Sequence, residues 1–295
     1  MTAGLVTSSQ LLIPCLSRHS SAATTEIDDS PYSECDTPST ALEALDSCYK
    51  IGTAIASGAY GRVNRSTKRE TGCPVAIKMI EKPAYDSWSD DCVDGSAGHG
   101  PGEAEVLELI SKLKVDGVPR ILDVFEDSDA TFIVSELGGL DLYEWLQRTE
   151  ERQDATVVDV MTKLIVILEA LHGWGIAHND VKLENILLND SGEVHLVDFG
   201  SSVVCHCDHH EGVRRRVLEG DDGSCYSGNC SDDCFMRFCD SDFQKCSIVM
   251  YQLFTGLPIP SEEARVNRVP EKKAALRRVS KGEILTADEV RGLFE

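Results

Sequence analysis

Positive charge is scarce in this chain: 28 Lys and Arg stand against 50 Asp and Glu among 295 residues, a formal charge of -22. A field of that sign repels phosphate backbones and anionic lipid headgroups, so a nucleic-acid or membrane-surface protein is not expected. Any phosphate the chain binds must be held by a few local groups. There is no apolar run of about 18 residues, so no membrane-spanning helix is expected. Acids are missing before Glu26, yet Pro14 and scattered polar residues break up any signal-peptide core in this Ser/Thr-rich stretch. No internal repeat occurs, which sets aside solenoids and propellers.

What is present is a 42% hydrophobic composition, enough for one large core or two lobes sharing a cleft. Residues 1–48 show no sustained period and read as a disordered tail, with an organelle-targeting segment as the alternative reading. From Tyr49, "YKIGTAIASGAYGRVNRSTK" and "CPVAIKMIEK" carry β-branched runs separated by Gly, the pattern of antiparallel strands. "GEAEVLELISKL" has helical spacing, "VPRILDVFED" and "ATFIVSEL" read as further strands, and Gly138 and Gly139 interrupt the chain as a hinge could. Beyond them "ATVVDVMTKLIVILEALHGWG" predicts a long helix ended by Gly175, and Thr286 is placed to cap a last short one. The expected fold class is α+β: a small antiparallel β lobe with one helix over residues 49–137, then a larger, mainly helical lobe over residues 138–295.

Four short stretches could carry chemistry. In "SGAYG", Gly58 and Gly61 flank a turn where missing side chains let backbone N–H groups approach an anion, although an ordinary hairpin reads the same way. Lys78 ends the apolar run "VAIK", where an ammonium is costly without an anionic partner; Glu103 or Glu105 could supply it, unless both are solvated. "HNDVKLEN" sets Asp180, Lys182 and Asn185 in one short loop. These can accept a proton, neutralise a transferring phosphoryl group and ligate a metal. "VHLVDFGSS" adds Asp198 as a second hard-oxygen ligand at a turn.

In this order and context, the Gly-rich loop, "VAIK", "HNDVKLEN" and "DFG" resemble the eukaryotic protein kinase family, over most of the chain from Tyr49 onward. The resemblance implies a bilobal fold and ATP with Mg2+ as cofactors. It implies a nucleotide site made by Ala56, Gly58, Gly61, Val63, Ala76, Lys78, Glu136, Leu137, Asp141 and Leu187, with Ser135 behind the adenine. Glu103 is the expected ion-pair partner of Lys78, Asp180 the catalytic base, Lys182 the γ-phosphate contact, and Asn185 and Asp198 the metal ligands. Asp242 takes the place that anchors the catalytic loop. Lys two residues after Asp180 is the Ser/Thr form, so a protein substrate with Ser or Thr is implied.

The pattern also breaks. Asn179 stands where the family has Arg, whose charge draws in a phosphorylated activation loop; a carboxamide cannot do so with comparable strength. Residues 201–241 contain no "APE" phrase and are rich in Cys and His, as in Cys205, Cys207, His209, His210, Cys225, Cys230, Cys234 and Cys239. The spacing lacks the paired CxxC of strong zinc motifs, so free or buried thiols are expected ahead of zinc or disulfides. The run "VRRR" at 213–216 reads as a solvated loop. With no secretion signal the thiols are expected to be reduced, in a cytoplasmic or nuclear protein. Two other functions fit less well, a nucleotide-binding pseudokinase scaffold and a phosphotransferase acting on a small hydroxylated molecule. Nothing in the residues sets an oligomeric state.

Overall fold

The computed structural model describes residues 17–20, 40–58, 61–82, 102–149, 153–205 and 233–295. Its first part is built on one twisted sheet. The strands are β1 (Ser17–Ser20), β2 (Tyr49–Lys50), β3 (Ala54–Gly58), β4 (Gly61–Lys68), β5 (Pro74–Glu81), β6 (Ile121–Glu126) and β7 (Ala130–Glu136). They lie in the order β1-β6-β7-β5-β4-β2, with β3 also paired to β4. Every pairing is antiparallel except that of β1 with β6.

Alternation along β5 and β7 divides this sheet into two faces. Val75 and Ile77 join Phe125, Phe132 and Val134 in one apolar cluster, covered by helix α1 (Ala41–Cys48) through Ala41 and Leu45. Ile133 and Val124 point the other way and pack with Ala104 of helix α2 (Glu103–Lys112). Ala76 and Lys78, between the apolar residues of β5, share the face on which α2 lies.

The expected tail is therefore corrected at its end: Ala41–Cys48 is a helix, and the small lobe carries two helices instead of one. Thr40 caps it, accepting from Glu43 N at 3.2 Å, and Asp127 Oδ2 accepts from Ala41 N at 2.8 Å. The backbone N–H groups of Ala41, Asp129 and Ala130 hold the Asp127 carboxyl below the usual carboxylate range. Just beyond the helix, the Tyr49 hydroxyl donates to the Asp123 carboxylate, and burial pushes that hydroxyl's pKa upward. Eight residues are too few to hold a helix in water, so docking of Leu45, which is fully buried, supplies what local preference lacks.

The second part is mainly helical. It runs through β8 (Leu140–Asp141), α3 (Leu142–Arg148), α4 (Asp154–Gly173), β9 (Ile176–Ala177), β10 (Ile186–Leu188), β11 (Val194–Leu196) and β12 (Val203–Val204). It ends with α5 (Asp233–Thr255), α6 (Glu262–Val266), α7 (Val269–Val279) and α8 (Ala287–Gly292). Helix α4 buries Val157, Met161, Leu164, Leu168 and Leu171 in the large core, and Gly175, at φ 73°, turns the chain out of it. Helix α5 meets this core through Cys246, Val249, Met250 and Leu253. Thr286 caps α8 as expected, accepting from Glu289 N at 3.2 Å. Among the described residues no helix is long and apolar enough to cross a membrane. The β10–β11 hairpin and the β9–β12 pair lie on this lobe and present the loops that carry the polar site.

Candidate active site

Lys78 sits on β5, opposite Val63 of β4 and Ile133 of β7. Its Nζ lies 2.6 Å from Glu103 Oε2 and 2.6 Å from Asp198 Oδ1. The side chains of Lys78 and Glu103 are only 13% and 5% exposed, so each charge depends on the other to remain inside. Burial raises the pKa of Glu103, against the pull of the Lys78 charge. Of the two candidate partners it is Glu103 that reaches the lysine. Glu105 instead accepts from Gly102 N at 3.1 Å and closes the first turn of α2.

The 178–185 loop, between β9 and β10, is held from below by Asp242 on α5. This carboxylate is fully buried and accepts from His178 N at 2.8 Å, from Asn179 N at 2.7 Å and from His172 Nε2 at 2.9 Å. The His178 ring joins two further segments: Nδ1 accepts from Asp180 N at 3.2 Å and Nε2 faces Val197 O at 2.9 Å. With Nδ1 as acceptor, Nε2 carries the proton and donates to that carbonyl, leaving a neutral ring. Burial holds the ring below the usual histidine range. Its edge-to-face contact with Phe199, centroids 4.8 Å apart, ties the loop to the turn that follows Asp198.

Within the loop, Lys182 Nζ lies 2.6 Å from Asp180 Oδ2. Burial alone would lower the Lys182 pKa, but hydrogen bonding and charge from Asp180, with Asp198 and Glu184 nearby, outweigh it and raise the pKa. Asn185 Nδ2 donates to Asp180 O at 2.8 Å and to Asp180 Oδ2 at 3.0 Å. Its amide nitrogen is thus committed, and its carbonyl oxygen is the remaining acceptor. Asp198 and Asn179 both adopt left-handed backbone, at φ 66° and 62°. Asp and Asn tolerate that region better than most side chains, which places these residue types without great strain.

The strand register sets several of the remaining predicted residues opposite one another on adjoining strands. Ala56 pairs with Val63, Gly58 with Gly61, and Ala76 with Ser135. A Cβ on Gly58 would have nothing within 4 Å, whereas one on Gly61 would lie 2.2 Å from Met79 O, so Gly61 is required by the strand beside it. The loop tip, Ala59 and Tyr60, lies outside the described residues. After Glu136 and Leu137, Gly138 and Gly139 cross directly over β10: a Cβ would meet Leu187 Cδ1 at 2.3 Å or Leu188 O at 2.2 Å. Close approach, more than hinge motion, calls for these glycines. Glu136 turns its side chain outward to Arg120, 2.9 Å away, and its backbone N–H donates to Arg120 O at 3.0 Å. Asp141 pairs in register with Leu187, and its Oδ1 caps α3 by accepting from Glu144 N at 2.8 Å.

A divalent ion fits this donor set. Asp198 and Asn185 offer two hard oxygens, few enough for magnesium, which keeps several waters and phosphate oxygens around it. No group of three His, Cys, Asp or Glu side chains suited to a metal occurs among the described residues. Most of the Cys/His cluster and the "VRRR" run fall at 206–232, outside the described residues. Of that cluster Cys205 and Cys239 are buried beside Ala177 and Phe235.

A family model described as Protein kinase domain matches residues 49–219, more than half of the chain. The chain belongs to this family. It is similar to serine/threonine-protein kinase PSK2 of Saccharomyces cerevisiae, 30% identical over 52% of this chain and 14% of that protein. It is also similar to cyclin-dependent kinase 7 of Dictyostelium discoideum, 33% identical over 52% of this chain and 41% of that protein. A third relative is CBL-interacting serine/threonine-protein kinase 13 of Arabidopsis thaliana, 31% identical over 56% of this chain and 31% of that protein. Each match spans well under two thirds of the relative's own length. Membership in the protein kinase family implies, in general, ATP and magnesium use and a protein substrate.

Sequence reasoning did not find Lys245. Its Nζ donates to the backbone carbonyl of Asn179, from one turn beyond Asp242 on α5. The only signal available was its place three residues after a candidate anchor on a helix, which puts both side chains on one face.

Proposed function

We propose that this chain is a serine/threonine protein kinase that transfers the γ-phosphoryl group of ATP to a protein hydroxyl. The observation that carries the reading is Lys78 held between Glu103 and Asp198 at 2.6 Å from each. A cation fixed in this way is already oriented when nucleotide phosphates arrive, so little reorganisation accompanies binding. Asp180 receives the proton of the attacking hydroxyl, and Lys182 follows the charge of the transferring group. Asn185 and Asp198 would hold magnesium, which neutralises charge on the phosphates when bound. Ala56, Gly58, Gly61, Val63, Ala76 and Leu187 enclose the nucleotide, the backbone at Glu136 and Leu137 meets adenine, and Asp141 lies toward the ribose. Lys182 two residues after Asp180, together with the serine/threonine kinases among the relatives, supports hydroxyl side chains of Ser or Thr as acceptors.

A nucleotide-binding scaffold is the second reading, favoured by the missing "APE" phrase between Gly200 and Asp242. Labelled Mg-ATP incubated with a basic protein and with the chain itself separates the two. Transfer to protein that both Asp198→Asn and Lys78→Met abolish is the expected result. ATP binding without transfer to protein or to a small hydroxylated acceptor moves the assignment to a scaffold.

A further inference from the structure

Asn179 is held at both backbone polar groups and at its side-chain amide nitrogen. Its N–H donates to Asp242 Oδ1 at 2.7 Å, its carbonyl accepts from Lys245 Nζ, and its Nδ2 donates to Ser201 O at 3.2 Å. The first two partners stand one turn apart on α5, and the third ends the short helical turn that follows Asp198. Residue 179 therefore joins the rigid helix, the loop bearing Asp180 and the segment bearing Asp198. Its left-handed backbone, φ 62°, is one that Asn adopts more readily than most side chains.

The Lys245 ammonium is half-buried, and its hydrogen bond to the carbonyl is charge-assisted, roughly twice the strength of a neutral one. It fixes the plane of the peptide between residues 179 and 180, and so the direction in which the Asp180 side chain leaves the backbone. We propose that Lys245 is a positioning residue for the loop that carries Asp180, supplying from α5 the cation that position 179 lacks. On this account Asn179 is tethered to the segment after Asp198 by its own carboxamide and to the helix by Lys245. Neither tether needs a phosphate group. The assignment rests on the kinase reading for its effect on turnover, but its effect on loop order does not.

The test compares wild type with Lys245→Met, which keeps the apolar stem, and Lys245→Arg, which keeps a cation. In wild type and both variants, amide hydrogen exchange over residues 177–181, Tm, and the kcat and ATP KM of phosphate transfer are measured. Lys245→Met is expected to speed exchange in the loop and to lower kcat about tenfold to a hundredfold, the scale of a misplaced catalytic group. ATP KM should stay within about twofold, because the strands and Lys78 that would hold ATP are untouched. Lys245→Arg should retain at least about a third of wild-type kcat, consistent with a positively charged donor being what the site needs.

Unchanged loop exchange in Lys245→Met overturns the proposal, whether or not the chain transfers phosphate. So does a loss of kcat matched by an equal rise in ATP KM and a general fall in protection, or an Arg variant as poor as the Met variant. A wild type that transfers nothing removes the kinase reading alone, and the exchange measurement still decides the role of Lys245.

Discussion

Two lysines buried in different lobes are held in opposite ways. Lys78 faces two carboxylates, each 2.6 Å away, in the cleft. Lys272, on α7 and 2% exposed, meets none at hydrogen-bond distance among the described residues; its ammonium donates to Ala264 O at 2.5 Å and Asn267 Oδ1 at 3.1 Å. The ring of Phe294 completes its surroundings, 4.1 Å from the ammonium to the centroid. Burial, and then the nearby Arg268 charge, lower the Lys272 pKa. Neutral dipoles and an aromatic face can hold a cation permanently, closing the carboxyl end of α6 onto the C-terminal segment. A pair of carboxylates can instead share the cation with an incoming anion, because the Lys78 and Asp198 charges can re-pair around phosphate and metal. The first arrangement suits structure and the second suits chemistry.

Breaking each lysine should expose that contrast. Lys78→Met is expected to lower kcat by about a hundredfold or more, the scale set by loss of one preorganised electrostatic donor. The melting temperature should move little, because Glu103, already raised in pKa, takes up a proton once its partner is gone. A variant that unfolds, or one that keeps activity, breaks the comparison. Lys272→Ala should do the reverse. It strands the Ala264 carbonyl and removes the stem from beside Phe294, costing about 2 kcal/mol or roughly 5 °C in Tm. Activity per folded molecule should be unchanged, checked by normalising initial rates to active-site occupancy.

A pH scan sharpens the same contrast with the smallest effect. The folded-state pKa of His178 lies below the ordinary value of 6.5 because the ring is buried, so the unfolded chain binds its proton more readily. Stability from this site is fully present above about pH 6.5 and is lost as pH falls through the folded-state value. Chemical denaturation between about pH 7 and 5 should show stability falling steadily toward the acid end. The slope should flatten in His178→Phe, which keeps a ring beside Phe199. Lys272 has a depressed pKa too, so its contribution grows with pH in the same sense but only in the alkaline window below 10.5. A slope at acid pH that survives His178→Phe would assign it to carboxylates instead.

The residues that bear charge were legible because the chemistry restricts their types and because their spacing is short. Asp180, Lys182 and Asn185 lie within one loop, and local geometry brings them together at 2.6 to 3.0 Å. Strand alternation likewise shows from the residues that Lys78 shares a face with Ala76. Helix α1 was not legible, since its eight residues carry too short a period to stand out and are stabilised by the sheet that they cover. Nor could spacing choose between Glu103 and Glu105, which lie two positions apart at the start of one helix. Their directions differ by about 200° around the axis, and only the docking of α2 decides which one turns toward β5.

By itself, then, the order of residues determined which side chains could do chemistry, which strands alternate, and that position 179 carries no charge. Tertiary structure decided which charges meet. Glu103 and Asp198 reach Lys78 over 25 and 120 positions of chain, and Lys245 reaches the Asn179 carbonyl over 66. A hydrogen bond or ion pair depends on a few tenths of an ångström and on direction, and those are set by packed cores far from the residues that make the contact.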